Sequence, residues 1–186
     1  MIVCLGWGSL VWDSRALPIQ RQWFEDGPFA RIDFLRKSKD KRVTLVLDES
    51  ASPVRTLWAV LTSPSLQEAK LALAARECMT SKDPTKNIGS WSRGDESPPC
   101  IHELPQWAAA NGIEQVVWTA LGPKFNGEIV PTKEHVVEHL RSLLGPERDN
   151  AERYVRFAPA QIDTPYRRYI ESTLGWVRAS RRGVGA

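Results

Sequence analysis

The chain has 186 residues, 42% of them hydrophobic and 25% charged, with a formal charge of +3 at pH 7. That length holds one domain with a sizeable core. The small net charge, part of it in the tail at Arg178, Arg181 and Arg182, gives no reason to expect a nucleic acid as partner. Cys4, Cys78 and Cys100 are far apart and form no Cys-x-x-Cys pair, which argues against a disulfide framework or a zinc knuckle and for free thiols.

The opening Ile2-Val3-Cys4-Leu5 is an apolar run that empties into Gly6-Trp7-Gly8-Ser9-Leu10, the outline of a strand followed by a loop. The run is too short for a signal-peptide core or a membrane span, so a cytoplasmic protein without a membrane partner is expected. Glycines at 6 and 8 allow backbone amides to approach an anion, and equally allow a tight turn that binds nothing. After a polar, Trp-bearing connection, residues 30–38, 42–47 and 55–61 have strand-like alternation or apolar content. Ser63-Pro64-Ser65 reads as a helix start, since Ser65 and Glu68 have the spacing of a capping box, and the helix runs to about Met79.

Residues 80–100 form a long polar stretch with prolines and glycines throughout, read as a lid or binding loop. A short helix over 104–110 stops at Asn111-Gly112, a strand follows over 113–121, and a helix over 133–144 ends at Gly145-Pro146. Helical stretches over 147–157 and 164–174 precede the basic tail. Strands early and helices late make the chain α+β, with one domain over 1–177 and a basic, flexible tail over 178–186.

Stepped at 100° per residue, Leu66, Ala69, Lys70, Leu73, Ala74 and Glu77 share one side of the first helix. A carboxylate on the apolar side is either at a frayed helix end, paired at the surface with Arg76, Lys70 or Lys82, or held in a partly desolvated place. Desolvation suits a carboxyl to acid and base work near neutral pH.

Gly6-Trp7-Gly8-Ser9-Leu10-Val11-Trp12 resembles the Gly-Tyr-Gly-Ser-Leu-Ile-Trp loop of the ChaC-type branch of the γ-glutamylcyclotransferase superfamily. Arg76-Glu77 resembles the Arg-Glu pair that closes that family's helix. Between them, the stretch from Phe34 to Thr44 is similar to the family's second block, and Leu57-Trp58-Ala59-Val60-Leu61 sits where the family has its strand before the helix. The resemblance covers roughly the first eighty residues and, loosely, residues 154–174. Trp7 stands in place of the usual tyrosine, and the connection over 13–31 and the residues from Lys82 onward follow no family pattern.

The resemblance implies a small mixed β-barrel or strongly curved sheet flanked by helices, and an enzyme that releases 5-oxoproline from a γ-glutamyl amide without metal or cofactor. The substrate's α-amine attacks its own γ-carbonyl, Glu77 takes and returns the proton, and Gly6, Trp7, Gly8, Ser9 and Leu10 cradle a carboxylate or oxyanion. Arg42 and Tyr154 are expected at the substrate. The partner is thus a small γ-glutamyl molecule, with glutathione, a γ-glutamyl amino acid and a γ-glutamylamine all left open, as is the oligomeric state. A non-catalytic binding domain of the same fold is the alternative. His135-Val136-Val137-Glu138-His139 also fits the His-x-x-Glu-His zinc pattern, a remote alternative, since the two histidines lie on the shoulder of an amphipathic helix and Glu138 on its polar side.

Overall fold

The computed structural model describes residues 1–20, 22–80, 82–127 and 130–179. The first sheet is built on β1 (Ile2–Gly6), which pairs antiparallel with β5 (Leu57–Val60) and parallel with β7 (Gln115–Thr119); β6 (Ile88–Ser92) lies antiparallel on the far side of β7. β1 reads as an unbroken apolar run because both its faces are covered. Cys4 packs into the cluster under α1 (Leu66–Arg76), while Val3 and Leu5 join the main core.

In the second sheet β2 (Phe29–Lys37) lies between β3 (Val43–Leu47) and β4 (Pro53–Arg55), antiparallel to both. The pairing of β2 with β3 shifts register between Phe34 and Arg36, so Phe34 and Leu35 are both buried although adjacent. Such an extra residue re-aims the side chains that follow it, here Arg36 and Lys37.

The α+β class holds, while of the expected small mixed barrel or strongly curved sheet no closed barrel forms: the described strands make two separate sheets. The sheets meet at two seams. On one side Thr56, between β4 and β5, exchanges backbone bonds with Gly27 and Pro28. On the other, Lys37 donates its amide to Lys124 at 2.8 Å and Lys124 donates to Leu35 at 3.2 Å, a short parallel bridge that brings the segment after β7 against β2.

The polar stretch over 80–100 is not one continuous loop. A single 3₁₀ turn at Pro84–Asn87 leads into β6, where Ile88 and Trp91 are buried. Gly89 allows this pairing, since a Cβ there would come within 2.2 Å of the Trp118 ring on β7. The expected strand over 55–61 is likewise divided, at Thr56, into β4 and β5.

The remaining helices are α2 (Leu104–Ala110), α3 (Lys133–Ser142), α4 (Gly145–Phe157) and α5 (Pro165–Leu174). Gly145 and Pro146 do not end α3; they open α4, proline being suited to a helix's first turn. Arg167 of α5 is wholly buried and donates to the carbonyls of Val155, Ala158, Pro159 and Ile162, tying the end of α4 to α5. Arg178, the first tail residue, bonds Asp163, Glu171 and the Ala160 carbonyl, while Arg181 and Arg182 lie outside the described residues. No described helix is long and apolar enough to cross a membrane.

Candidate active site

α1 starts where Ser65 caps it, its hydroxyl accepting from the Glu68 amide at 3.2 Å and donating to the Glu68 carboxylate. It stops in a Schellman motif: the Met79 amide reaches back to the Ala74 carbonyl and the Cys78 amide to Ala75, both at 3.0 Å. Cys78 takes the left-handed conformation this stop requires, with φ +54°. Glu77 therefore caps the helix end and does not sit on a helical face. Its carboxylate pairs with Arg76, but not at the surface, since the Arg76 side chain is 4% exposed and that of Glu77 21%.

Arg76 is the hinge pin of the site. Its Nη1 lies 2.6 Å from Oε1 of Glu77, its Nη2 donates to the Ser9 hydroxyl at 3.3 Å, and its Nε donates to the Asp13 carbonyl at 3.1 Å. One guanidinium thus fixes both the loop after β1 and the end of α1, a fork geometry that lysine cannot supply. Oε2 of Glu77 has no partner among the described residues.

The loop itself turns through Val11 N–H to the Gly8 carbonyl at 3.0 Å and Asp13 N–H to the Ser9 carbonyl at 2.8 Å. The amides of Ser9 and Leu10 donate to no described residue. Neither Gly6 nor Gly8 has a positive φ, so the sequence's glycines serve proximity and not a left-handed turn. A Cβ on Gly8 would lie 2.5 Å from the Tyr154 hydroxyl.

Tyr154 comes from α4 and is buried beneath this loop, its hydroxyl oxygen accepting from the Leu45 amide at 3.3 Å. Burial pushes the phenol up to about 12, against the opposing pull of the Leu45 hydrogen bond. Trp12 meets its ring edge-on at 5.6 Å, and the Arg42 guanidinium stands over its face at 5.2 Å. Arg42 is in turn paired with Asp40 at 2.7 Å. Burial raises the Asp40 carboxyl, but the Ser38 hydroxyl, Arg42 and Asn150 outweigh it and hold the group below its ordinary range.

The fold brings Gly6, Trp7, Gly8, Ser9, Leu10, Arg42, Glu77 and Tyr154 to one cavity of about 780 Å³. That volume suits a small molecule. A second, more polar hollow of about 460 Å³ adjoins it across Ser9, Glu77 and Tyr154, with Arg15, Arg153 and Asn150 on its far wall. Sequence reasoning missed Arg36, Lys37, Lys39 and Lys124, which also line the larger cavity. The charged step over 36–42 was visible, but its facing the cavity depends on the register shift in β2 and on the Lys124 bridge.

His135, Glu138 and His139 lie elsewhere. His135 and Glu138 are exposed on α3, while Nε2 of His139 is 2.7 Å from the Lys41 carbonyl oxygen and its ring meets Phe125 edge-on. Burial lowers the His139 pKa against the pull of that hydrogen bond. Among the described residues no group of three or more His, Cys, Asp or Glu side chains is placed to hold a metal ion. Compared with protein-family models, with characterised proteins and with solved structures, the chain has no match in any of the three.

Proposed function

We propose that this protein is a γ-glutamylcyclotransferase-like enzyme that releases 5-oxoproline from a γ-glutamyl amide. The observation that carries the reading is the Arg76 guanidinium joining Ser9 of the glycine loop to Glu77 at the wall of a substrate-sized cavity. The resemblance of these two segments to the family's motifs assigns them a shared chemistry, and their meeting on one side chain is the support for it.

The reaction needs a folded glutamyl chain, a neutral amine and a place for negative charge. The unpartnered amides of Ser9 and Leu10 would receive the substrate carboxylate or the developing oxyanion, at no reorganisation cost because the loop is already fixed. Glu77, held at Oε1 by Arg76, would take a proton from the α-ammonium through Oε2. The amine nitrogen then bonds to the γ-carbon, the amide C–N bond breaks, and both protons shed by the attacking nitrogen end on the departing one. No water is consumed. Holding the chain in a near-attack shape is where the cavity contributes most to rate.

The Arg76–Glu77 ion pair also favours a second reading, in which the carboxylate only braces Arg76 and the cavity binds an acidic ligand without changing it. The two separate in one assay: 5-oxoproline release from glutathione, γ-glutamyl amino acids and γ-glutamylamines, with and without chelator. Release indifferent to chelator is the expected result. Binding without release would favour the second reading, and chelator-sensitive hydrolysis would redirect attention to His135 and His139.

A further inference from the structure

The larger cavity carries a charge imbalance that the glutamyl half of a substrate does not use up. Among the described residues five cationic ones line it, Arg36, Lys37, Lys39, Arg42 and Lys124, against two acidic ones, Asp40 and Glu77. Both acids are already neutralised, Asp40 by Arg42 and Glu77 by Arg76. The other cations are not: Arg36 donates to the Gly122 carbonyl and Lys37 to the amide oxygen of Asn126, both uncharged acceptors. Lys39 and Lys124 have no acidic partner among the described residues. Among the described residues, four cationic residues without an acidic partner therefore line one concave surface, in a protein whose whole formal charge is +3.

This concentration is built by the fold. Arg36 and Lys37 reach the cavity beyond the register shift in β2, and Lys124 arrives from the far sheet through its backbone bridge to Leu35 and Lys37. Cavities walled by one sign of charge focus the field and raise both capture rate and affinity for ions of the opposite sign. The substrate's own α-carboxylate satisfies at most one of these cations, or none if the loop amides take it.

We infer that the leaving group carries two or more negative charges, as in a γ-glutamyl-linked acidic amino acid or a short γ-linked glutamate chain trimmed from its amino end. This rests on the cyclotransferase reading. In such a substrate the terminal α-amine attacks its own γ-carbonyl, forming the lactam C–N bond. The amide C–N bond to the next residue breaks, and the released amine of the acidic residue takes up the protons, so the step balances without a co-reactant. A γ-glutamylamine, whose leaving group is cationic or apolar, is disfavoured by the same charges.

The test compares γ-glutamylglutamate with its uncharged-side-chain isostere γ-glutamylglutamine, reading 5-oxoproline release as kcat/KM. The acidic leaving group is expected to be preferred by roughly tenfold at low salt, and raising ionic strength from about 20 mM to about 0.5 M should erase most of that preference. The double variant Lys37→Gln/Lys124→Gln, checked for an unchanged melting temperature, should lower the γ-glutamylglutamate rate severalfold more than the γ-glutamylglutamine rate. Equal rates for the two substrates, with 5-oxoproline released from both, would overturn this inference and leave the cyclotransferase reading standing. No release from either, or from glutathione, would overturn both.

Discussion

The hydroxyl of Tyr154 stands so close to Gly8 that a single added methyl group would lie 2.5 Å from it. The contact couples α4 to the loop after β1, because that hydroxyl also accepts the Leu45 amide of β3 and its ring is walled in by Trp12, Phe34 and Arg42. Gly8→Ala should therefore cost about 1–3 kcal/mol by overpacking and displace the loop that bears Ser9. Tyr154→Phe removes the hydroxyl and leaves the Leu45 amide unpaired, at about 1–2 kcal/mol. Since both changes act on one contact, the double variant should be less destabilised than the sum of the two, by more than about 0.5 kcal/mol in denaturant unfolding. Additive losses would show that the contact does not couple the two elements.

Arg76 is predicted to matter to both stability and turnover. Arg76→Met leaves Glu77 without its ion-pair partner and frees the Ser9 hydroxyl and the Asp13 carbonyl, at a cost of about 2–4 kcal/mol. Arg76→Lys keeps the charge but cannot span Ser9, Asp13 and Glu77 together, so 5-oxoproline release should fall at least about tenfold even where the variant is fully folded. Full activity in Arg76→Lys would remove the bridging role.

Cys78 holds the left-handed position of the helix stop with a side chain that disfavours it. Cys78→Gly should raise stability by about 1 kcal/mol, read from the denaturation midpoint, by relieving that strain while keeping both Schellman hydrogen bonds. A destabilised glycine variant would show that the contacts of the Cys78 thiol, including the one 3.4 Å from Arg15 Nη1, outweigh the backbone strain.

Much of this arrangement was legible in the chain. Ser65 and Glu68 marked the start of α1, Asn111-Gly112 marked the end of α2, and the β1 loop and Glu77 could be set side by side through their resemblance to known motifs. What stayed hidden depends on contacts between distant segments. β6 is too short and too polar to announce itself, and its pairing with β7 needs the room that Gly89 leaves for the Trp118 ring. The two-sheet arrangement replaces a barrel because each edge meets the other sheet only at the short seams around Thr56 and Lys124, neither of which has a local signature. Gly145-Pro146 is a signal that fits a helix end and a helix start equally, and the capping of α3 one residue beyond Ser142 decided it for the start of α4.

Asp33 predicts a pH dependence of stability remote from the cavity. Burial pushes its carboxyl up to about 6, against hydrogen bonds from the Thr164 hydroxyl and the Phe34 and Tyr166 amides. The folded protein therefore holds a proton that the unfolded chain has already lost. The stabilisation this brings is complete below the unfolded value near 4 and disappears as pH rises through about 6. Asp33→Asn has no such proton. The stability of the natural protein relative to this variant should thus fall on going from pH 4 to 7, by about 2 kcal/mol. Parallel pH profiles for the two would show that Asp33 ionises without penalty.

Arg167 tests whether the fold depends on the α4–α5 clamp independently of the site. Arg167→Met strips four backbone carbonyls and Glu171 of their shared donor, and about 3–5 kcal/mol of stability should go with it. Below its own melting temperature the variant should release 5-oxoproline at close to the natural rate, since none of these groups lines the cavity.

The most direct test of the account is single-turnover 5-oxoproline release by the natural protein and by Glu77→Gln, beside calorimetric binding of the same γ-glutamyl substrate. Glutamine keeps the shape and an oxygen for Arg76 but cannot take a proton, so release should drop by at least about a hundredfold while binding stays within a few-fold. Release that survives in Glu77→Gln would contradict the role assigned to this carboxylate and, with it, the chemistry proposed for the cavity.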